Sequence, residues 1–155
     1  MQVWTSARGL AALLVGISMT SLATADEARV EDKESENVTV TCPTSGLAIL
    51  SGSSMTVNGT IQVAKGELAP DLVTIGFLDD EDALLGSHTL TLGQETDSGT
   101  YKKTKTSHLF WINIKAPTRV GECRLVVETQ KFAPGSAVDR TILRERMKPL
   151  KLEIK

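Results

Sequence analysis

The chain has 155 residues, with 17 Lys and Arg against 19 Asp and Glu and a formal net charge of −2 at pH 7. That length leaves room for one domain and little else. The mild charge argues against a nucleic-acid partner, since neutralising phosphates needs a clear basic excess, and 4% aromatic residues are few for a surface that stacks sugars on several rings.

Residues 1–25 carry the marks of a secretory signal peptide: Arg8 in the n-region, an apolar run Leu10–Met19 (LAALLVGISM) and an Ala23-Thr24-Ala25 cleavage signal. The run is well short of the roughly 20 residues that span a bilayer, so no transmembrane segment is expected after processing. The expectation is a secreted or periplasmic protein. Residues 26–36 (DEARVEDKESE) are acidic and lack apolar periodicity, as expected of a disordered stub. A single domain is then expected over 37–155.

From Asn37 the chain reads as short strands. NVTVTC alternates and stops at Pro43. Pro43 to Ser54 is a loop whose Leu47–Leu50 patch covers one end of the core. Met55, Val57, Gly59, Ile61 and Val63 alternate with Thr56, Asn58, Thr60 and Gln62, and Val73, Ile75 and Phe77 share one parity beyond KGELAPD. The acidic run Asp79 to Asp82 marks a turn, and Leu84 to Leu92 returns with Leu84, His88, Leu90 and Leu92 in one row. Thr100 to Thr106 is a short lysine-rich strand suited to an edge. The clearest pattern lies in HLFWINIKAPTRVGECRLVVET: Phe110, Ile112 and Ile114 share one parity, as do Cys123, Leu125 and Val127. Pro117 and Gly121 break it between them, which predicts an antiparallel hairpin at the centre of the core. Residues 137–147 admit two accounts, a short helix begun by Ser136 and Asp139 or a long irregular connection. Leu150, Leu152 and Ile154 then form a terminal strand.

Seven to eight strands with turn signals between them predict an all-β antiparallel sandwich, with a closed barrel as the runner-up. Cys42 and Cys123 both fall on inward parity of distant strands. In an oxidising compartment they predict one disulfide, and closing a loop of roughly 80 residues would contribute about 4–5 kcal/mol in the chain-entropy model.

Little chemistry is evident. The only histidines are His88 and His108, and no G-x-S-x-G elbow or S-x-x-K motif occurs after residue 25. A blue-copper site needs a histidine downstream of its cysteine, and none follows Cys123. No cofactor is expected. Asp79, Asp80 and Asp82 are weak calcium candidates that lack the EF-hand order. Trp111 and the basic residues Arg140, Arg144 and Arg146 are weak candidates for a binding surface, directed at an acidic partner or anionic head groups. Asn37-Val38-Thr39 and Asn58-Gly59-Thr60 fit the glycosylation sequon, which matters only in a eukaryotic secretory pathway.

The stretch Val38 to Ile61, VTVTCPTSGLAILSGSSMTVNGTI, resembles the opening of bacterial immunoglobulin-like domains, with a strand, a Pro, a Gly-containing loop and a strand of the form V-x-G-x-[IV]. VTIGFLDDEDALLG is similar to their hairpin with an acidic turn, APTRVGECRLVVET to the penultimate strand and KPLKLEIK to the last. The nearest subtype is that of spore-germination and envelope proteins. The tryptophan and cysteine spacing of antibody-type domains is absent. The resemblance implies an immunoglobulin-like sandwich and a non-catalytic envelope or extracellular module, and it carries over no functional residues. The partner expected is another envelope or secreted protein. The rivals are a secreted inhibitor or accessory subunit and, from a different class, a small hydrolase or metal-dependent enzyme.

Overall fold

Alternating strands need a second apolar layer to cover their inward face. In the computed structural model, which describes residues 29–132 and 141–155, that layer is a second sheet. The expected signal peptide, the helix start expected at Ser136 and Asp139, and Arg140 lie outside the described residues. Twelve strands and no helix occur among the described residues.

The first sheet has five strands: β2 (Val38–Cys42), β4 (Ser54–Ile61), β9 (His108–Lys115), β8 (Gly99–Lys103) and β7 (Gln94–Glu95), in that order and all antiparallel. The second is built on β10 (Gly121–Phe132). On one side of β10 run β5 (Leu72–Leu78) and then β6 (Leu84–Thr91). On its other side β11 (Thr141–Met147) and β12 (Leu150–Ile154) lie end to end, both antiparallel to it. Beyond them β1 (Arg29–Ser35) runs parallel to β11, and β3 (Ala48–Ile49) parallel to β12. The break at Lys148-Pro149 follows from the missing N–H of proline, which cannot join the ladder.

The two sheets close on one core. Val57, Ile61, Phe110, Ile112 and Ile114 from the first meet Val73, Ile75, Phe77, Leu125, Val127, Leu152 and Ile154 from the second. The all-β sandwich is therefore as expected. Parities along β9 and β10 also hold, and Gly121 takes the positive φ anticipated for it, +129°.

Four expectations need correction. First, β9 and β10 do not form a hairpin: β9 pairs with β4 and β8, whereas β10 pairs with β5, β11 and β12. Period-two patterning shows which face of a strand is buried but not which strand lies beside it. The connection crosses from sheet to sheet, with Ala116 buried and its N–H bonded to the Ser53 carbonyl at 2.8 Å. Second, Cys42 and Cys123 are unbonded thiols, Cys42 exposed and Cys123 buried. A register shift between Val40 and Cys42 breaks the alternation that would have turned Cys42 inward. Third, the described part of the acidic stub is not irregular but strand β1, which gains a ladder against β11 despite its polar sequence. Fourth, neither a helix nor an irregular connection occupies 141–147, which is β11. Its sequence TILRERM puts Glu145 in the same row as Leu143 and Met147, so no clean alternation advertises a strand.

Candidate functional site

Register aligns a polar and charged band across the outer face of the larger sheet. Cross-strand pairing puts Thr89, Thr74, Glu128, Arg146 and Glu34 in one row, and Leu72, Gln130, Arg144 and Asp32 in the next. Glu128 is the hub. Its side chain is only 14% exposed, a burial that an ionised carboxylate sustains only with partners. Arg146 donates from Nη2 at 2.9 Å and the Gln130 amide donates at 3.1 Å, while the Arg144 guanidinium stands beside the carboxylate as an ion pair, its Nε 3.1 Å away but outside hydrogen-bond geometry. Arg144 also lies 3.7 Å from Asp32. The Arg146 side chain remains 54% exposed, so its charge is held in place yet open to solvent.

Two grooves flank this hub. One of about 640 Å³ runs between β1 and the break after β11, walled by Lys33, Glu34, Met147, Lys148 and Pro149. A shallower one of about 270 Å³ lies over Gly76, Val126 and Leu84, and Arg144 and Arg146 line both. Val126 is buried on this outer face, while Leu84 is 62% exposed beside it. The combination is an apolar floor next to a fixed pair of guanidinium groups, the kind of surface that accepts a partner's carboxylate and an adjacent apolar side chain.

The other candidates lie elsewhere. Trp111 projects from the outer face of the five-stranded sheet, between Asn58 and Thr100, beside a groove of about 400 Å³ lined by Glu95, Asp97 and Lys102. It is therefore on the opposite outer face from the arginines. Asp79, Asp80 and Asp82 occupy the β5–β6 turn as expected, but their carboxylates are engaged. Asp79 is buried and accepts from the Glu81 and Ala83 N–H groups at 2.9 and 2.8 Å and from Arg119. Asp80 lies 3.7 Å from Arg119, and Asp82 pairs with Arg124 at 2.5 Å. Asp82 takes φ +64°, a left-handed conformation that Asp tolerates. These residues build a turn and pin it to Arg119 and Arg124. No group of three or more His, Cys, Asp or Glu able to hold a metal occurs among the described residues.

The two histidines differ in burial. His88 shares parity with Leu90 but is exposed, whereas Leu90 is buried beside Gly99 of β8. His108, at the start of β9, is 8% exposed with its Nδ1 unpartnered. Burial, and secondarily the Lys103 charge, push the His108 imidazole below its ordinary 6.5. The folded chain then binds fewer protons at this site than the unfolded chain, so stability rises with pH. The stabilisation is complete above about pH 6.5 and is lost as pH falls through the lower folded value. Thermal melting between pH 5 and 8 should show a decline below about pH 6.5, and His108→Phe should flatten that part of the curve.

Patterning missed two features of the site. Val126 stands in the run Leu125-Val126-Val127, and such a run signals a strand covered on both faces. Glu128 sits at an outward position that reads as solvated, and only the arrival of β11 beside it covers it. The site belongs to a two-layered β-sandwich, antiparallel apart from the β1–β11 and β3–β12 pairs. No protein-family model matches the chain, and no curated protein matches it in sequence. Among the described residues, no helix is long and apolar enough to cross a membrane.

Proposed function

We propose that this chain is an exported, non-catalytic, immunoglobulin-like module that binds another envelope or secreted protein through the outer face of its larger sheet. The observation that carries the proposal is the Glu128 hub, which orients Arg144 and Arg146 beside the apolar floor of Val126, Gly76 and Leu84. Two arginines held by one half-buried carboxylate lose less side-chain freedom on meeting a partner than free surface arginines do. The partner segment favoured is acidic with a flanking apolar residue. Strand order supports the immunoglobulin-like part: β2-β4-β9-β8 follows the ABED order and β5-β10-β11 the CFG order of that sandwich. Export rests on residues 1–25 of the sequence.

The test places a photo-crosslinking residue at Ser87, at the rim of the shallower groove, and a control at Thr56 on the opposite sheet. Crosslinking is carried out in the native periplasm or medium. A discrete protein should be captured from Ser87 but not Thr56, and Arg144→Glu with Arg146→Glu should lower the yield by at least about tenfold, because like charges then face the acidic segment. Equal capture from both faces, or capture indifferent to the two reversals, would count against the proposal.

A further inference from the structure

Among the described residues β6 pairs with β5 alone, so its outer side carries an unpaired row of backbone N–H and C=O groups over Leu84–Thr91. The other sheet margins carry features that discourage pairing with another chain. β1, RVEDKES, has five charges in seven residues. β3 and β7 are two residues long, and β2 is interrupted by its register shift. β6 has none of these over most of its length. Its eight residues, LLGSHTLT, contain no Lys, Arg, Asp, Glu or Pro, and six of them are exposed. Its one irregularity is confined to the Leu84 end, which leaves Gly86–Thr91 in unbroken register with Leu72–Phe77.

We propose that β6 is a self-association edge, at which two copies of this chain pair antiparallel and join their seven-stranded sheets into one. A second copy is the occupant that the charges favour. A strand with no ionisable group besides His88 brings no like charges together when it meets itself, and it offers nothing complementary to a charged strand. Side-chain parity agrees. His88 and Leu90 lie on the core side, opposite Ile75 and Val73, while Ser87, Thr89 and Thr91 lie on the outer side. A two-fold axis through His88 sets Gly86 against the second copy's Leu90 and Ser87 against its Thr89, so every side chain stays on its own face.

Light scattering and sedimentation of the purified protein test this at concentrations up to about 100 µM. The expected mass is that of a dimer, and amide exchange over 86–91 should slow as concentration rises. Ser87→Lys with Thr91→Lys crowds lysines along the paired edges and should weaken association at least about tenfold. Both side chains are exposed, so the circular dichroism spectrum of the monomer should not change. A wild-type protein that stays monomeric at about 100 µM, or a lysine variant that dimerises as well as wild type, would overturn the proposal. So would exchange over 86–91 that does not respond to concentration.

Discussion

Replacing Gly59 with Ala is expected to destabilise the domain toward the upper end of the ~1–3 kcal/mol typical of overpacking. Gly59 lies in the inward row of β4 between Val57 and Ile61, and the fully buried ring of Phe110 occupies the space a side chain would take. A Cβ there would stand 2.6 Å from Phe110 Cζ and closer still to the Thr39 carbonyl oxygen of β2. The ring can tilt, but a strand carbonyl can retreat only by breaking the β2–β4 ladder. Phe110→Ala should cost about 3–5 kcal/mol by leaving a cavity. The double variant Gly59→Ala with Phe110→Leu separates the two contacts: relieving the ring should recover part of the glycine penalty, and the remainder reports the clash with Thr39. Urea unfolding of wild type, Gly59→Ala, Phe110→Leu and the double variant gives the coupling directly. Additive effects would show that ring and glycine do not share this space.

Asp79→Ala is expected to lower the melting temperature by roughly five degrees or more. The substitution leaves the Glu81 and Ala83 N–H groups without their acceptor and frees Arg119. The same contacts make the effect depend on pH. The Ala83 N–H holds the Asp79 carboxyl below its ordinary 3.8; burial opposes this, and the Glu81 N–H and the Arg119 charge add to it. A carboxyl with a depressed folded value binds fewer protons when folded, so its contribution is complete above about pH 4 and is lost as pH falls through the folded value. The gap in melting temperature between wild type and Asp79→Ala should therefore close on acidification below about pH 4. A gap that persists at pH 2 would mean that the carboxylate's charge has little part in holding the turn. The acid limb begins below about pH 4 and the His108 limb below about pH 6.5, so one titration follows both onsets.

How legible the site was varies residue by residue. Arg144 and Arg146 stand out as a basic cluster, but their grip on Glu128 depends on β11 lying against β10, a strand that its polar sequence conceals. Val126 is legible in principle, since three consecutive apolar residues cannot all face one side of a strand. The aspartates of the β5–β6 turn read correctly as turn residues. The arginines that engage them come from the sheet crossing, at Arg119, and from β10, at Arg124, 40 and 42 positions further along the chain. Trp111 stood out only as a lone tryptophan, and its distance from the arginines depends on which sheet each strand joined.

The sequence by itself determined the strand-rich class and the inward rows of β4, β5, β9, β10 and β12, because burial of one face imposes period two wherever a strand forms. It also marked the sharp turns, through Asp79 to Asp82, Pro117 and Gly121. Tertiary structure alone decided strand partnership: β9 and β10 went to different sheets, and β1 and β11 became strands at all only by pairing with each other and with β10. It also decided the state of the two cysteines, because one register shift in β2 moved Cys42 to the surface while Cys123 stayed inside. The physical reason is common to all three. Alternation is a property of one strand and its two faces, whereas pairing, register and cross-links are set by hydrogen bonds to residues far away in the chain, which local patterning does not encode.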